Sequence, residues 1–205
     1  MNVQVVLFDG FDELDAIAPH EIWNMARALN SDIDVQLVTL EGTRDVMASH
    51  GLRVQAQGML GAGQPDIVVV PGGGWITRAP AGAWAETQRG ALPAKLAQLH
   101  REGVVMASVC TGAMVLAAAG LLKDRPATTH HGALDDLAAT GAQVIRARVV
   151  DDGDVITAGG VTSGLDLTLW LVERLISAES ARALEESLEY ERRGTVWRRS
   201  AKQKN

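Results

Sequence analysis

Residues 104–122 read VVMASVCTGAMVLAAAGLL. A β-branched, strand-like run over Val104–Val109 changes at residue 110 into Ala- and Leu-rich helical spacing from Thr111 to about Leu122. The seam holds Cys110, the one cysteine of the chain. A strand ending at Val109 and a helix starting at Thr111 predict a tight, strained turn, the geometry of a nucleophile elbow with cysteine in place of serine. That placement predicts a side chain exposed at the top edge of a sheet. The helix N-terminus behind it is expected to lower the thiol pKa. The competing reading is a buried, inert cysteine. Gly112 and the abrupt change of period at residue 110 favour the functional one.

Working outward, strand-like and helix-like runs alternate. VQVVLF (3–8), IDVQLVTL (33–40), DIVVVPGGG (66–74) and VVMASV (104–109) read as strands. Helices are expected over 15–30, over the Ala-rich stretch 83–101, over 111–122, over ALDDLAAT, and over 163–176 and 178–193. VMASHGLRVQAQ (46–57) reads as a hairpin turning at His50-Gly51, and AQVIRARVVDDGDVITAGG as two or three strands with a turn at Asp152-Gly153. Apolar strands separated by helices imply a mostly parallel sheet in an α/β sandwich. No linker or repeat interrupts residues 1–190, which form one expected domain. The basic stretch 191–205 is expected to be a short solvated tail, with a minor capacity to grip an anionic partner.

Composition narrows the function. Nineteen Lys+Arg against 25 Asp+Glu give a formal charge of −6, which argues against a nucleic-acid surface. A lone cysteine forms no internal disulfide. MNVQVVLFDGFDE lacks the basic and apolar regions of a signal peptide, and no window reaches membrane-span length. A cytoplasmic protein with no membrane role is expected. The five histidines show no CxxC or HExxH spacing, so no metal site is expected.

Three strands run into glycine: VVVPGGG, ASVCTG and VITAGGVTSG. In an open parallel sheet these turns lie at the carboxyl ends of the strands, where ligands bind, and glycine lets backbone N–H groups come close. Neither a P-loop nor GxGxxG is present, so a phosphate or dinucleotide role is disfavoured.

PGGG, SVCTGAMVLAAAGLLKDRPATTHH and TAGGVTSGLDLTL resemble blocks of the DJ-1/PfpI superfamily, and the resemblance runs from Val3 to about Tyr190. Cys-Thr-Gly, with LDAIAPHE near the start, is most similar to bacterial isocyanide hydratases. It also resembles the amidase-like N-terminal domains of certain AraC-type regulators. The resemblance implies a flavodoxin-like three-layer sandwich, a homodimer, and catalysis without metal or organic cofactor. It makes Cys110 the nucleophile, Asp15 in ELDAIAPHE the paired carboxylate, and Thr111 the neighbouring hydroxyl. A carboxylic acid beside a thiolate has its pKa raised and can deliver a proton; Asp15 would otherwise be a helix N-cap.

Thr111 is expected to donate to thiolate or substrate, or else to satisfy the first turn of its helix. Backbone N–H groups of Gly73, Gly74 and Thr111 are candidates to stabilise developing negative charge. Gly74 and Trp75 depart from the PGGT of the hydratases, and Trp75 is expected to narrow the pocket or cover the sheet. His130, twenty residues after the thiol, is a reserve partner or a cap for the helix near Gly132. Gly160 is a reserve site residue in the third glycine turn. The implied reaction is addition of water to a small, uncharged, largely apolar isocyanide, giving an N-substituted formamide. Rival readings are another enzyme of the superfamily, glyoxalase- or amidase-like, or a cysteine redox or stress sensor. Helix 163–176 or 15–30 is expected to serve the subunit contact.

Overall fold

A computed structural model describes residues 1–29 and 32–199. The chain opens with β1 (Asn2–Val6), α1 (Glu13–Leu29) and β2 (Asp34–Thr39). A hairpin of β3 (Asp45–Met47) and β4 (Arg53–Gln55), then the short β5 (Gly58–Met59), leads to β6 (Ile67–Val70). Next come α2 (Ala83–Arg89), α3 (Ala91–Arg101), β7 (Val105–Ser108) and α4 (Gly112–Ala118). After β8 (Pro126–Ala127), a 3-10 turn at His131–Ala133 runs into α5 (Leu134–Ala139), followed by β9 (Gln143–Val144). The last elements are β10 (Val149–Asp151), β11 (Val155–Ala158), α6 (Ser163–Leu175), α7 (Ala178–Ser187) and β12 (Trp197–Arg198).

The main sheet has the order β12-β10-β11-β7-β6-β1-β2-β5, and its neighbours are parallel except for β10 and β11. All four residues of β6 and of β11 are buried, as expected for strands covered on both faces. Helices α1, α6 and α7 pack together on one face, and α2, α3, α4 and α5 form the other layer. This is the expected α/β three-layer sandwich. Trp23 and Ile22 of α1 are fully buried against the sheet, and α6 turns its apolar residues inward, toward α1 and α7.

Register aligns the strand ends. Leu37, Val5, Val69, Ala107 and Ile156 lie side by side across five strands. The loops after β1, β6, β7 and β11 therefore leave the sheet at one height. The chain also reverses its direction of travel across the sheet between β1 and β6, which makes their carboxyl ends the switch-point crevice.

Several elements end earlier than sequence period suggests. The expected helix 83–101 is two helices, because Gly90 takes a left-handed φ of 77° that closes α2 and opens α3. α4 stops at Ala118, before Gly120 at φ 77°. α7 stops at Ser187, where Glu189 turns left-handed.

The basic C-terminal stretch is not a free tail as far as Arg199. Trp197 and Arg198 pair in parallel with Val150 and Asp151 as the edge strand. Arg199 reaches the buried Asp152 carboxylate at 2.6 Å, and Arg192 pairs with Glu173 and Glu185. Arg192 and Arg199 are thus paired within the molecule; residues 200–205 lie outside the described chain. No helix among the described residues is long and apolar enough to cross a membrane.

Candidate active site

The turn between β7 and α4 forms as the change of period predicts. Cys110 has φ 55°, a left-handed conformation that costs a non-glycine residue strain, and the surroundings hold it there. Its N–H donates to Gly159 O at 2.8 Å, and its carbonyl accepts from Thr129 Oγ1 at 2.8 Å. Behind it, Gly112 lies so close to β6 that a Cβ would sit 2.1 Å from Val70 O. Only glycine lets the elbow seat on that strand.

Asp15 enters from the first turn of α1, two residues past its start, rather than as the cap. It is fully buried. Its Oδ2 accepts from Gly72 N–H at 2.9 Å, while Oδ1 has no nitrogen or oxygen partner among the described residues. The Cys110 thiol lies beside this carboxyl, near enough to favour its ionised form. Gly72 makes the approach feasible, since a Cβ on it would lie 2.4 Å from Thr111 Oγ1 and 3.0 Å from Asp15 Oδ2.

The electrostatics correct one expectation. Cys110 is only 6% exposed, so its side chain is covered rather than displayed. Burial, and then the Asp15 carboxyl, push the thiol up to about 12 rather than down. Backbone N–H groups of Val161 and Thr111 beside the sulfur oppose that rise without overcoming it. Burial, and then Asp12, also push Asp15 up to about 8, against the Gly72 N–H and the thiol. The two groups are thus buried acids in contact, and Asp15 is the stronger.

Thr111 and the glycine turn divide their work differently from expectation. Thr111 makes no side-chain cap for α4. Its Oγ1 accepts from Gly73 N–H at 3.0 Å. The Gly73 N–H is therefore already engaged and not free to meet an oxyanion, whereas the Thr111 hydroxyl proton keeps no acceptor among the described residues. Gly74, at φ 64°, turns the chain under Ala81, with its carbonyl taken by Ala79 N–H. Trp75 is buried between helices α2 and α5, where it meets Trp84 edge-on at 5.2 Å and donates from Nε1 to Asp136 at 2.6 Å.

His130 makes no hydrogen bond to Asp15 or Cys110 among the described residues. Its Nδ1 accepts from Gly132 N–H at 3.1 Å, capping the 3-10 turn, and its ring stacks near His131. Gly160 lies beneath it, since a Cβ there would meet His130 Cδ2 at 2.5 Å. Among the described residues no group of three or more His, Cys, Asp or Glu side chains is placed to hold a metal ion.

Three contributors escaped the sequence reading. Gly72, rather than its successors, touches Asp15; PGGG pointed to the turn but not to the glycine. Asp12 raises both acids through space. Val161 sets its N–H beside the sulfur at φ 37°, a left-handed conformation unusual for a β-branched residue, and no sequence signal announces it.

The sequence pattern of the DJ-1/PfpI family matches residues 1–174. The isonitrile hydratase of Pseudomonas putida is 32% identical over 93% of this chain and 78% of that protein. A deglycase from Thermococcus kodakarensis is 29% identical over 77% of this chain and 89% of that one. The crystal structure of a ThiJ/PfpI family protein from Pseudomonas syringae superposes with a TM-score of 0.82 at 28% identity, over 94% of this chain and 76% of that chain. A mostly parallel sheet with a cysteine elbow at the carboxyl end of β7, next to the switch-point strand β6, and a sequence matched over most of its length, establish that this chain belongs to the DJ-1/PfpI family.

Proposed function

We propose that the protein is an isocyanide hydratase, a hydro-lyase that converts R–NC and water into R–NH–CHO. The observation that carries this reading is the buried contact between the Asp15 carboxyl and the Cys110 thiol, with no histidine in it. Asp15 in its carboxylate form takes the thiol proton as sulfur bonds to the terminal isocyanide carbon. It then passes that proton to the same carbon, leaving a thioimidate, R–N=CH–S–Cys. Water adds across the C=N bond, the C–S bond breaks, and formamide leaves as the thiol regains a proton through Asp15. Thr111 keeps a hydroxyl proton to offer the nitrogen, and Gly74 N–H supplies a backbone donor at the same turn.

The likeness to the P. putida enzyme supports the same reaction. Glyoxalase-, deglycase- or amidase-like chemistry is less well served, because His130 is committed to its turn and Thr111 follows the cysteine directly. A redox sensor requires an accessible thiolate, which a covered sulfur held protonated does not provide. The reading includes a cytoplasmic homodimer working without metal or organic cofactor. The exposed Leu14, Met47 and Leu52, on α1 and the hairpin packed against it, favour a second copy over solvent.

The test is incubation of the purified protein with phenyl isocyanide, following N-phenylformamide by chromatography. Turnover is expected, with a loss of about a thousandfold or more in Cys110→Ala, the scale of removing a covalent nucleophile. No turnover by the wild type, or turnover that survives in Cys110→Ala, overturns the assignment.

A further inference from the structure

Beside the elbow, lined by Gly159, Gly160 and Val161 of the turn after β11, lies a groove of about 530 Å³. Val161 joins the two sites: its backbone N–H lies beside the Cys110 sulfur, and the residue also lines the groove. Thr129, which donates to the Cys110 carbonyl, and Gly159, whose carbonyl accepts the Cys110 N–H, also line it. The space is far larger than a reacting N≡C group needs and falls in the range of small-molecule sites.

Its charge is the unusual feature. The protein carries −6 overall, yet no carboxylate lines this groove, while Arg146, Arg148, His130 and His131 do. Arg148 is neutralised by Asp166 at 2.5 Å and also donates to Thr162. Arg146 has no ion pair or side-chain hydrogen bond among the described residues. The segment that carries it is nevertheless fixed, with Ile145 N–H bonded to Ala127 O and Arg148 O accepting from Gly159 N–H. An arginine without a partner, on a tethered segment facing a carboxylate-free groove, is arranged to receive an anion with planar oxygen geometry. The other arginine-lined cleft, beside α6, differs in having carboxylates in its lining, Asp166 and Glu173, the latter paired with Arg192.

We propose that the groove receives the distal part of the substrate and that Arg146 selects a carboxylate there, so the preferred isocyanides bear an anionic substituent. This rests on the isocyanide-hydrating reading of Cys110 and replaces the uncharged, apolar substrate expected from sequence.

The test compares kcat/KM for 4-isocyanobenzoate and phenyl isocyanide. The ratio is expected to favour the carboxylate in the wild type. It should fall by about tenfold or more in Arg146→Ala, the scale of one charge-assisted hydrogen bond, and return in part in Arg146→Lys. A ratio below one in the wild type, or one unmoved by Arg146→Ala, overturns the proposal. A second measurement needs no turnover: the affinity of the protein for benzoate and for benzamide by titration calorimetry. Benzoate should bind more tightly, and Arg146→Ala should abolish that preference; equal affinity for the two, or no binding of benzoate, in the wild type overturns the groove assignment. Failure of both isocyanides to react sinks the hydration reading alone, and the benzoate experiment still decides the groove.

Discussion

A carboxyl group stripped of water keeps its proton, and Asp15 shows what that does for a reaction. With its acidity moved from 3.8 to about 8, it is a proton carrier near working pH instead of a permanent anion. The rate should climb as pH rises through about 8, when the carboxylate needed to take the thiol proton forms; Asp15→Asn should lose both the rate and that inflection. The same shift costs stability. Because the folded-state pKa is raised, the native state holds a proton between about pH 4 and 8 that the unfolded chain releases, so stability falls as pH rises across that window. Asn keeps an acceptor for Gly72 N–H and removes the ionisation. Asp15→Asn should therefore match the wild type in Tm near pH 4 and exceed it near pH 9, with an unfolding free energy higher there by on the order of 2 kcal/mol or more. Equal Tm values at both pH values would show that the carboxyl is already solvated. Strain at the next residue has its own test. At φ 55°, Cys110→Gly should be about 1 kcal/mol more stable than Cys110→Ala by denaturant unfolding, because only glycine adopts that φ without penalty.

The elements around the site are held by contacts that local sequence does not predict. The hairpin turning at His50-Gly51 was legible in VMASHGLRVQAQ, but its fastening to α1 was not, because the partner lies 37 residues away. Burial would raise the Glu13 pKa, yet the His50 side chain and the N–H groups of His50 and Leu52 outweigh it and hold the carboxyl at about 2. His50 is raised in turn, chiefly by its hydrogen bond to Glu13. The Glu13 contribution is present above about pH 4.5 and fades as pH drops through about 2. The His50 contribution is present below its ordinary 6.5 and is lost as pH rises past its elevated pKa. Hydrogen exchange of Val46 and Val54 should therefore quicken in Glu13→Gln by roughly fivefold at pH 6, the effect of about 1 kcal/mol of lost hydrogen bonding, and the difference should shrink at pH 3. Exchange in β6 and β7 should not change. Helix ends were misread for a related reason: hydrophobic period continues through Gly90, Gly120 and Glu189, and only their left-handed φ values stop the helices. Periodicity reports which side chains can share a face, not where the backbone turns.

Across the whole molecule, what was legible followed from chemistry concentrated in short stretches, and what was missed came from distance. The parallel sheet and the elbow could be read because β-branched runs and one cysteine mark them locally, whereas the expected Asp15–Cys110 pairing came from the family resemblance. The direction of the thiol shift could not, because it depends on how completely α1, the glycine turn and Val161 close over the sulfur. The C-terminal segment failed for the same reason: RRGTVWRRSAKQKN looks solvated until the sheet edge supplies its partners. Beyond its two-residue ladder with β10, this strap is fixed by Arg193 N–H on Asp166, Arg192 between Glu173 and Glu185, and Arg199 on Asp152. Asp152 is also held by Arg125, so it would remain paired if Arg199 were removed. A chain ending at Gly194 keeps Arg192 and Arg193 but loses β12 and the Arg199 pair, exposing the β10 edge and Trp170. One semi-buried pair and a short edge ladder together contribute about 2 kcal/mol, which for a chain this size lowers Tm by roughly 4–8 °C. Arg199→Ala alone should cost less than half of that. Activity below the transition should be retained, because the strap lies at the sheet edge opposite β1 and β2 and contributes nothing to the elbow. A Tm unchanged by truncation would show that the edge strand adds no net stability, and loss of activity without loss of Tm would place the strap in the site.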